Sequence, residues 1–195
     1  MTVVETPFTV LVVCTGNICR SPLAEQLLQT RLNAAGIPAI VTSAGTRAMV
    51  DYPMTDEAAA LSRQYGATSQ LHAARQLTPA LIESADLILT ATREHRGEVV
   101  SLHPRAARYA YTLNQFARLV SDPSVVELAE TPTITSFLAE IAATKGLALP
   151  PHHPADDDIE DPYRQSTEIY ARVAHIIDTA VSTITTALAT TTGSC

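Results

Sequence analysis

One short segment constrains the fold of this chain more than any other. An apolar run, Phe8-Thr-Val-Leu-Val-Val13, passes directly into Cys14-Thr-Gly-Asn-Ile-Cys-Arg20 and then into Ser21-Pro22. The run has the length of a strand, is rich in β-branched residues and carries no charge, which reads as a strand buried on both faces. Ser21 before Pro22 reads as a helix N-cap with proline at the first helical position. Leu23, Leu27, Leu28 and Leu32 then share one helical face, and Gly36 ends the helix. A buried strand that turns through a tight loop into a helix is the opening unit of a parallel α/β sheet.

The rest of the chain repeats that alternation. Ala39 to Ser43 reads as a second strand, closed by Ala44-Gly45, and Thr55 to Tyr65 as a helix stopped by Gly66. Thr78 to Ser84 reads as a short helix, Asp86 to Thr90 as a third buried strand, Arg93 to Leu102 as a helix and Ala107 to Tyr111 as a fourth strand. The fold class is therefore α/β, doubly wound, in three layers. Residues 119–158 break the pattern as an unassigned insertion punctuated by Pro123, Pro132, Pro150, Pro151 and Pro154. Within it, Phe137 to Thr144 reads as a helix and His152 to Asp158 as a mobile acidic loop. After Asp161-Pro162 the last helix carries the stripe Ile169, Val173, Ile176, Ile177, Ala180 and Ile184, and residues 190–195 read as a flexible tail. No repeat or second domain is visible, so residues 1–195 are expected to form a single domain.

Thirteen Lys and Arg stand against twenty Asp and Glu, a net charge of −7. That balance argues against nucleic acid or an anionic membrane as partner. Three cysteines, Cys14, Cys19 and Cys195, are too few for a secreted disulfide framework. The opening MTVVETPFTVLVVC has no basic stretch and carries Glu5, unlike a signal peptide, and its apolar run is too short to span a membrane. A cytoplasmic location without membrane insertion is the expectation.

The loop between the first strand and the first helix is where an open α/β sheet places ligands. A helix N-terminus offers free backbone N–H groups and the positive end of its dipole. A tight loop with Gly16 can wrap its amides around one phosphate, and Asn17 tolerates the left-handed backbone that wrapping needs. The same field stabilises a thiolate at Cys14. Arg20 closes the ring with a planar fork suited to two phosphoryl oxygens. Thr15, Gly16, Asn17, Ile18, Cys19 and Arg20 thus form a phosphate-binding loop with a nucleophile at its start. Neither the dinucleotide pattern G-x-G-x-x-G nor the P-loop pattern G-x-x-x-x-G-K-[ST] is present.

Cys14 to Pro22, CTGNICRSP, together with Thr42-Ser-Ala-Gly-Thr46, His72-Ala-Ala-Arg-Gln-Leu77, Ala85-Asp-Leu-Ile-Leu-Thr90 and Asp161-Pro-Tyr163, resembles the low-molecular-weight protein tyrosine phosphatase family. The bacterial branch partnered with tyrosine kinases of exopolysaccharide export is especially similar. The resemblance implies a central four-stranded parallel sheet with flanking helices and hydrolysis of phosphotyrosine through a phosphocysteine. It implies Cys14 as nucleophile, Arg20 as phosphate clamp and Asp161 as general acid and base. Ser21 would hydrogen-bond the thiolate, and Asn17, Ser43 and His72 would hold the loop in shape. Ile18, Met49 and Tyr163 are the candidate pocket walls; the chain has no Trp to serve there. The partners implied are phosphotyrosine-containing proteins, a cognate bacterial tyrosine kinase among them, and inorganic phosphate or other oxyanions. No cofactor and no metal are implied.

Some of these residues admit a second role. Asp161 before Pro162 suits either a proton donor in a loop or a helix-capping aspartate. Cys19 suits either a redox partner that shelters Cys14 or a small side chain packed under the loop. His152, His153, Asp156, Asp157 and Asp158 are consecutive and unspaced, which suits a solvated loop better than a metal site. Three rival functions stand beside the phosphotyrosine reading. An arsenate reductase would need a low-molecular-weight thiol, since no cysteine lies between Cys19 and Cys195. A phosphoarginine phosphatase of this fold carries a small polar residue where Ile18 stands. A non-enzymatic phosphate module would not need Cys14, Arg20 and Asp161 together.

Overall fold

The computed structural model describes residues 7–68, 71–123 and 133–192. At its centre lies a four-stranded sheet, parallel throughout, formed by β1 (Phe8–Cys14), β2 (Ala39–Gly45), β3 (Leu87–Thr90) and β4 (Ala110–Thr112) in the order β2-β1-β3-β4. The alternating pleat of β1 divides the core. Val10 and Val12 join Leu23, Leu27 and Leu28 of α1 (Arg20–Ala34) on one face, while Leu11 and Val13 join Ile82, Ile88 and Val99 on the other. Ile82 belongs to α3 (Pro79–Glu83) and Val99 to α4 (Arg93–Leu102). The first face also takes α2 (Asp56–Gln64), α5 (Leu113–Ser121), α6 (Ile134–Thr144) and α7 (Thr167–Thr192). Helices on both faces of a parallel sheet make the expected three-layer doubly wound fold.

Threonine opens five of these helices. Thr55, Thr78, Thr92, Thr112 and Thr133 each accept a hydrogen bond on the side-chain oxygen from the backbone N–H three residues on. Helix α1 differs. Its N-cap is Cys19, with no side-chain cap, so its first N–H groups stay available. The expected cap, Ser21, sits inside the first turn because its hydroxyl is committed to Cys14 and Asn17. Pro22 still falls in that turn, where a missing N–H costs nothing.

Other boundaries shift for local reasons. A 3₁₀ turn at Pro104–Arg108 occupies Ala107, so β4 begins at Ala110 instead. The acidic stretch expected to be a mobile loop contains a short helical turn pinned at a few points, with most of its side chains exposed. It forms a 3₁₀ turn at Pro154–Asp157, in which the Asp156 carboxylate accepts from the His153 N–H at 2.8 Å. Asp157 is buried against Arg118, and Asp158 accepts from the Arg93 N–H at 2.7 Å. Much of the expected insertion joins the same core: Phe137 and Ile141 of α6 are buried with Phe116 of α5 and with Val181 and Leu188 of α7. Residues 124–132, with Pro132, lie outside the described residues, as does Cys195. Helix α7 covers the first part of the expected tail. Its length and composition would suffice to cross a bilayer, but Val173, Ile177, Val181 and Ile184 are buried against its neighbours.

Candidate active site

The carboxyl ends of β1, β2 and β3 meet at one edge, with Cys14 opposite Gly45 and Val13 opposite Thr90. The loop Cys14 to Arg20 starts there. Five consecutive carbonyls of Cys14, Thr15, Gly16, Asn17 and Ile18 are tied outward, to the N–H groups of Thr46, Arg47 and Met49, to His72 Nε2 and to the Thr55 N–H. Outward carbonyls turn the intervening N–H groups to the concave side, which is the geometry of an anion nest. Asn17 supplies the left-handed residue, at φ 57°.

Around Asn17 the protons are ordered by elimination. Its Oδ1 accepts from the Arg75 N–H at 2.9 Å, so its Nδ2 is the donor, to Ser21 Oγ at 2.9 Å and Ser43 Oγ at 2.8 Å. Ser43 Oγ, having accepted, passes its own proton to the Glu25 carboxylate. Ser21 Oγ also lies 3.0 Å from Cys14 Sγ, within hydrogen-bond reach of the nucleophile candidate. The backbone carbonyl of Asn17 can only accept, which fixes the proton of His72 on Nε2, at 2.7 Å. Ser21, Ser43 and His72 are thus brought together as expected, with Glu25 and Arg75 behind them. Burial raises the Glu25 pKa above the usual carboxylate range.

Arg20 is buried, at 5 % exposure, beneath the loop. Nη1 donates to the Ile159 carbonyl at 3.0 Å, and Nη2 donates to Asp161 Oδ2 at 2.7 Å and more weakly to Thr15 Oγ1 at 3.5 Å. The buried Nε–H has no protein acceptor, a donor that a phosphoryl oxygen would satisfy. Asp161 keeps 49 % of its side-chain surface exposed, and its Oδ1 accepts from the Tyr163 N–H at 3.2 Å. Helix α7 begins only at Thr167, so Asp161 does not cap it.

The family model described as low molecular weight phosphotyrosine protein phosphatase matches residues 9–130. The chain belongs to this family. It is accordingly a phosphoric monoester hydrolase of the protein-tyrosine-phosphatase class. It is 37 % identical over 116 residues to the probable low molecular weight protein-tyrosine-phosphatase EpsP of Ralstonia nicotianae, a match covering 59 % of this chain and 77 % of that one. Among solved structures, Vibrio vulnificus Wzb in complex with benzylphosphonate superposes with a TM-score of 0.67 at 26 % identity, covering 93 % of this chain and 99 % of the other. The arginine phosphatase YwlE of Geobacillus stearothermophilus gives 0.68 at 25 % identity, over 94 % of each chain.

Within this family site, two positions escaped the sequence reading. Gly45 lies so close to the loop that a Cβ there would stand 2.4 Å from the Thr15 carbonyl oxygen. Its place at the end of β2, paired with Cys14, was the available signal. His95, buried in α4, bridges Thr15 Oγ1 at 2.8 Å and Thr92 Oγ1 at 2.7 Å. Burial, then the charge of Arg20, lower its pKa to about 4, so the ring is neutral at physiological pH. A lone histidine on a helix carries no signal by itself, although its position just beyond the carboxyl end of β3 does.

Of the candidate pocket walls, Ile18 and Met49 converge over Gly16, at 3.5 and 3.9 Å from the position a Cβ would take there. Half-buried Tyr163 follows Asp161, with the Arg164 guanidinium 5.1 Å from its ring centroid. Cys19 packs under the loop, its Sγ 3.5 Å from Tyr170 Oη and 3.6 Å from Thr55 Oγ1, and burial raises its pKa. His152 and His153 do not converge with Asp156, Asp157 and Asp158 on a common point, and among the described residues no group of three His, Cys, Asp or Glu side chains is arranged to hold a metal.

Proposed function

We propose that this phosphatase removes phosphate from protein phosphotyrosine in the cytoplasm, with Cys14, Arg20 and Asp161 as its catalytic residues. One observation carries the reading: Arg20 and Asp161, 141 positions apart in sequence, meet at 2.7 Å beside the loop that begins with Cys14. The Cys14 thiolate attacks phosphorus, a P–S bond forms, and the P–O bond to the tyrosine ring breaks. Asp161 gives its proton to the departing oxygen. Water then attacks the phosphocysteine, Asp161 takes the water proton, and the P–S bond breaks to release inorganic phosphate. The loop amides and the Arg20 guanidinium hold the equatorial oxygens through both steps.

Ile18 and Met49 offer the leaving group an apolar wall, which supports an aryl ring over a guanidinium. The likeness to arginine phosphatases makes phosphoarginine the competing substrate. Matched peptides bearing phosphotyrosine, phosphoarginine or phosphoserine decide between them. We expect kcat/KM to be highest for phosphotyrosine; faster release from phosphoarginine overturns the assignment. Proteins of an exopolysaccharide system, a cognate tyrosine kinase included, are the partner class that the similarity to EpsP supports. Cys19 is proposed as redox partner: peroxide takes Cys14 to the sulfenic acid, the Cys19 thiol attacks that sulfur, an S–S bond forms and the oxygen leaves with both protons as water, and a thiol reductant reopens the disulfide.

A further inference from the structure

A second cationic site lies away from the phosphate loop. A cavity of about 560 Å³ opens between α4, α5 and the segment that leads to the 3₁₀ turn at Pro154–Asp157. Arg93, Arg96, Arg118 and Lys145 line it, in a chain whose net charge is −7. Lys145 is the only lysine in the sequence. Of the four cations, Arg118 alone has a carboxylate partner, Asp157, at 3.2 Å. Among the described residues no salt bridge joins Arg93, Arg96 or Lys145 to an acid.

Two of these cations are positioned rather than loose. Arg96 donates through Nε to the Ala110 carbonyl at 2.6 Å and through Nη2 to the Ala107 carbonyl at 3.4 Å. Lys145 Nζ donates to that same Ala107 carbonyl at 3.3 Å and lies 5.6 Å from the centroid of the Tyr111 ring. One carbonyl thus holds two like charges together, an arrangement that repels itself unless an anion neutralises it. Each cation keeps spare donors, since Lys has three and Arg five. Gly97 leaves open space on the α4 wall, and Leu119, Ala148 and the prolines at 150, 151 and 154 supply apolar surface. The volume suits a small molecule of nucleotide size.

We propose that this cavity binds a small molecule carrying two or more phosphates, with Arg96 and Lys145 on one phosphate and Arg93 on another. The site is separate from the phosphate loop and does not depend on the catalytic assignment.

The single lysine provides the test. Acetic anhydride labels Lys145 and the chain's α-amine, which peptide mapping separates. Burial, then the nearby charge of Arg96, lower the Lys145 pKa and speed its labelling. Inorganic pyrophosphate and ADP, titrated at low ionic strength, are expected to slow labelling of Lys145 at least tenfold while leaving the α-amine rate unchanged. Arg20→Lys should retain this protection. Arg93→Gln, at an exposed position with no salt bridge among the described residues, should lose most of it, and so should Arg96→Gln. An unprotected Lys145 at saturating pyrophosphate and ADP overturns the proposal. Protection that vanishes in Arg20→Lys but survives in Arg93→Gln also overturns it, because the anion then sits on the phosphate loop.

Discussion

As the proposed general acid, Asp161 matters in proportion to how badly the leaving group needs a proton. Tyrosine leaves as a phenoxide of pKa about 10, whereas a nitrophenolate is far more stable. Asp161→Asn is expected to slow a phosphotyrosine peptide by roughly 10²–10⁴-fold and to slow nitrophenyl phosphate much less, as steady-state kinetics on both will show. Glu160, exposed and paired with Arg172, serves as the control that changes neither. His95 works through another residue. Its two ring nitrogens meet Thr15 Oγ1 at 2.8 Å and Thr92 Oγ1 at 2.7 Å, so the ring ties the loop to the start of α4 whichever nitrogen carries the proton. His95→Ala strands two hydroxyls, and at about 1–3 kcal/mol for an unsatisfied buried group a tenfold or greater fall in kcat is expected. The sign of its pH effect follows from a pKa lowered to about 4. Between that value and the unfolded value of about 6.5, the unfolded chain binds the extra proton. Stability is therefore complete above about 6.5 and declines as pH falls toward 4, by at most about 3 kcal/mol. Urea titrations of wild type and His95→Ala at pH 7 and pH 4.5 should show this decline in the wild type only.

The strand, loop and first helix were legible because a charge-free β-branched run admits few alternatives and the following residues have distinct backbone roles. The start of α1 was misread because Ser21 has the chemistry of a cap but spends its hydroxyl on the site. The stretch after α5 was opaque for the opposite reason. Prolines and consecutive acids look like a solvated loop until Arg118 is seen reaching both oxygens of Asp157, at 3.2 and 3.3 Å. That pair, together with Asp158 on the Arg93 N–H, anchors the segment leading to Asp161. Breaking a largely buried ion pair costs about 3–5 kcal/mol, and the exposure of Arg118 puts Asp157→Asn at the lower end. The variant should melt earlier in calorimetry and lose kcat on phosphotyrosine, although Asp157 touches no reacting atom. Gly45 makes a comparable point on β2. Gly45→Ala drives a methyl into the Thr15 carbonyl, and loss of phosphate binding beyond the loss of stability is the expected signature in calorimetric titration.

Helix α7 ties the layers on one face together, since it packs against α1, α2, α5 and α6. Ile184 is fully buried in it, so Ile184→Ala should cost about 2–5 kcal/mol, and circular dichroism and activity should be lost in one coincident urea transition. The same connectivity has a consequence for the protein while it is being made. Cys14 and its loop precede Asp161, the proposed proton donor, which follows Arg20 by 141 positions. At about 5–20 residues per second, a ribosome needs on the order of ten seconds or more to span that gap. During that interval the emerging chain holds the loop without Asp161, and without the α7 packing that closes the core around Arg20 and Cys19. Until Asp161 emerges, the chain lacks the acid of the proposed mechanism, so its turnover of phosphotyrosine is expected to be slower by the same roughly 10²–10⁴-fold as in Asp161→Asn.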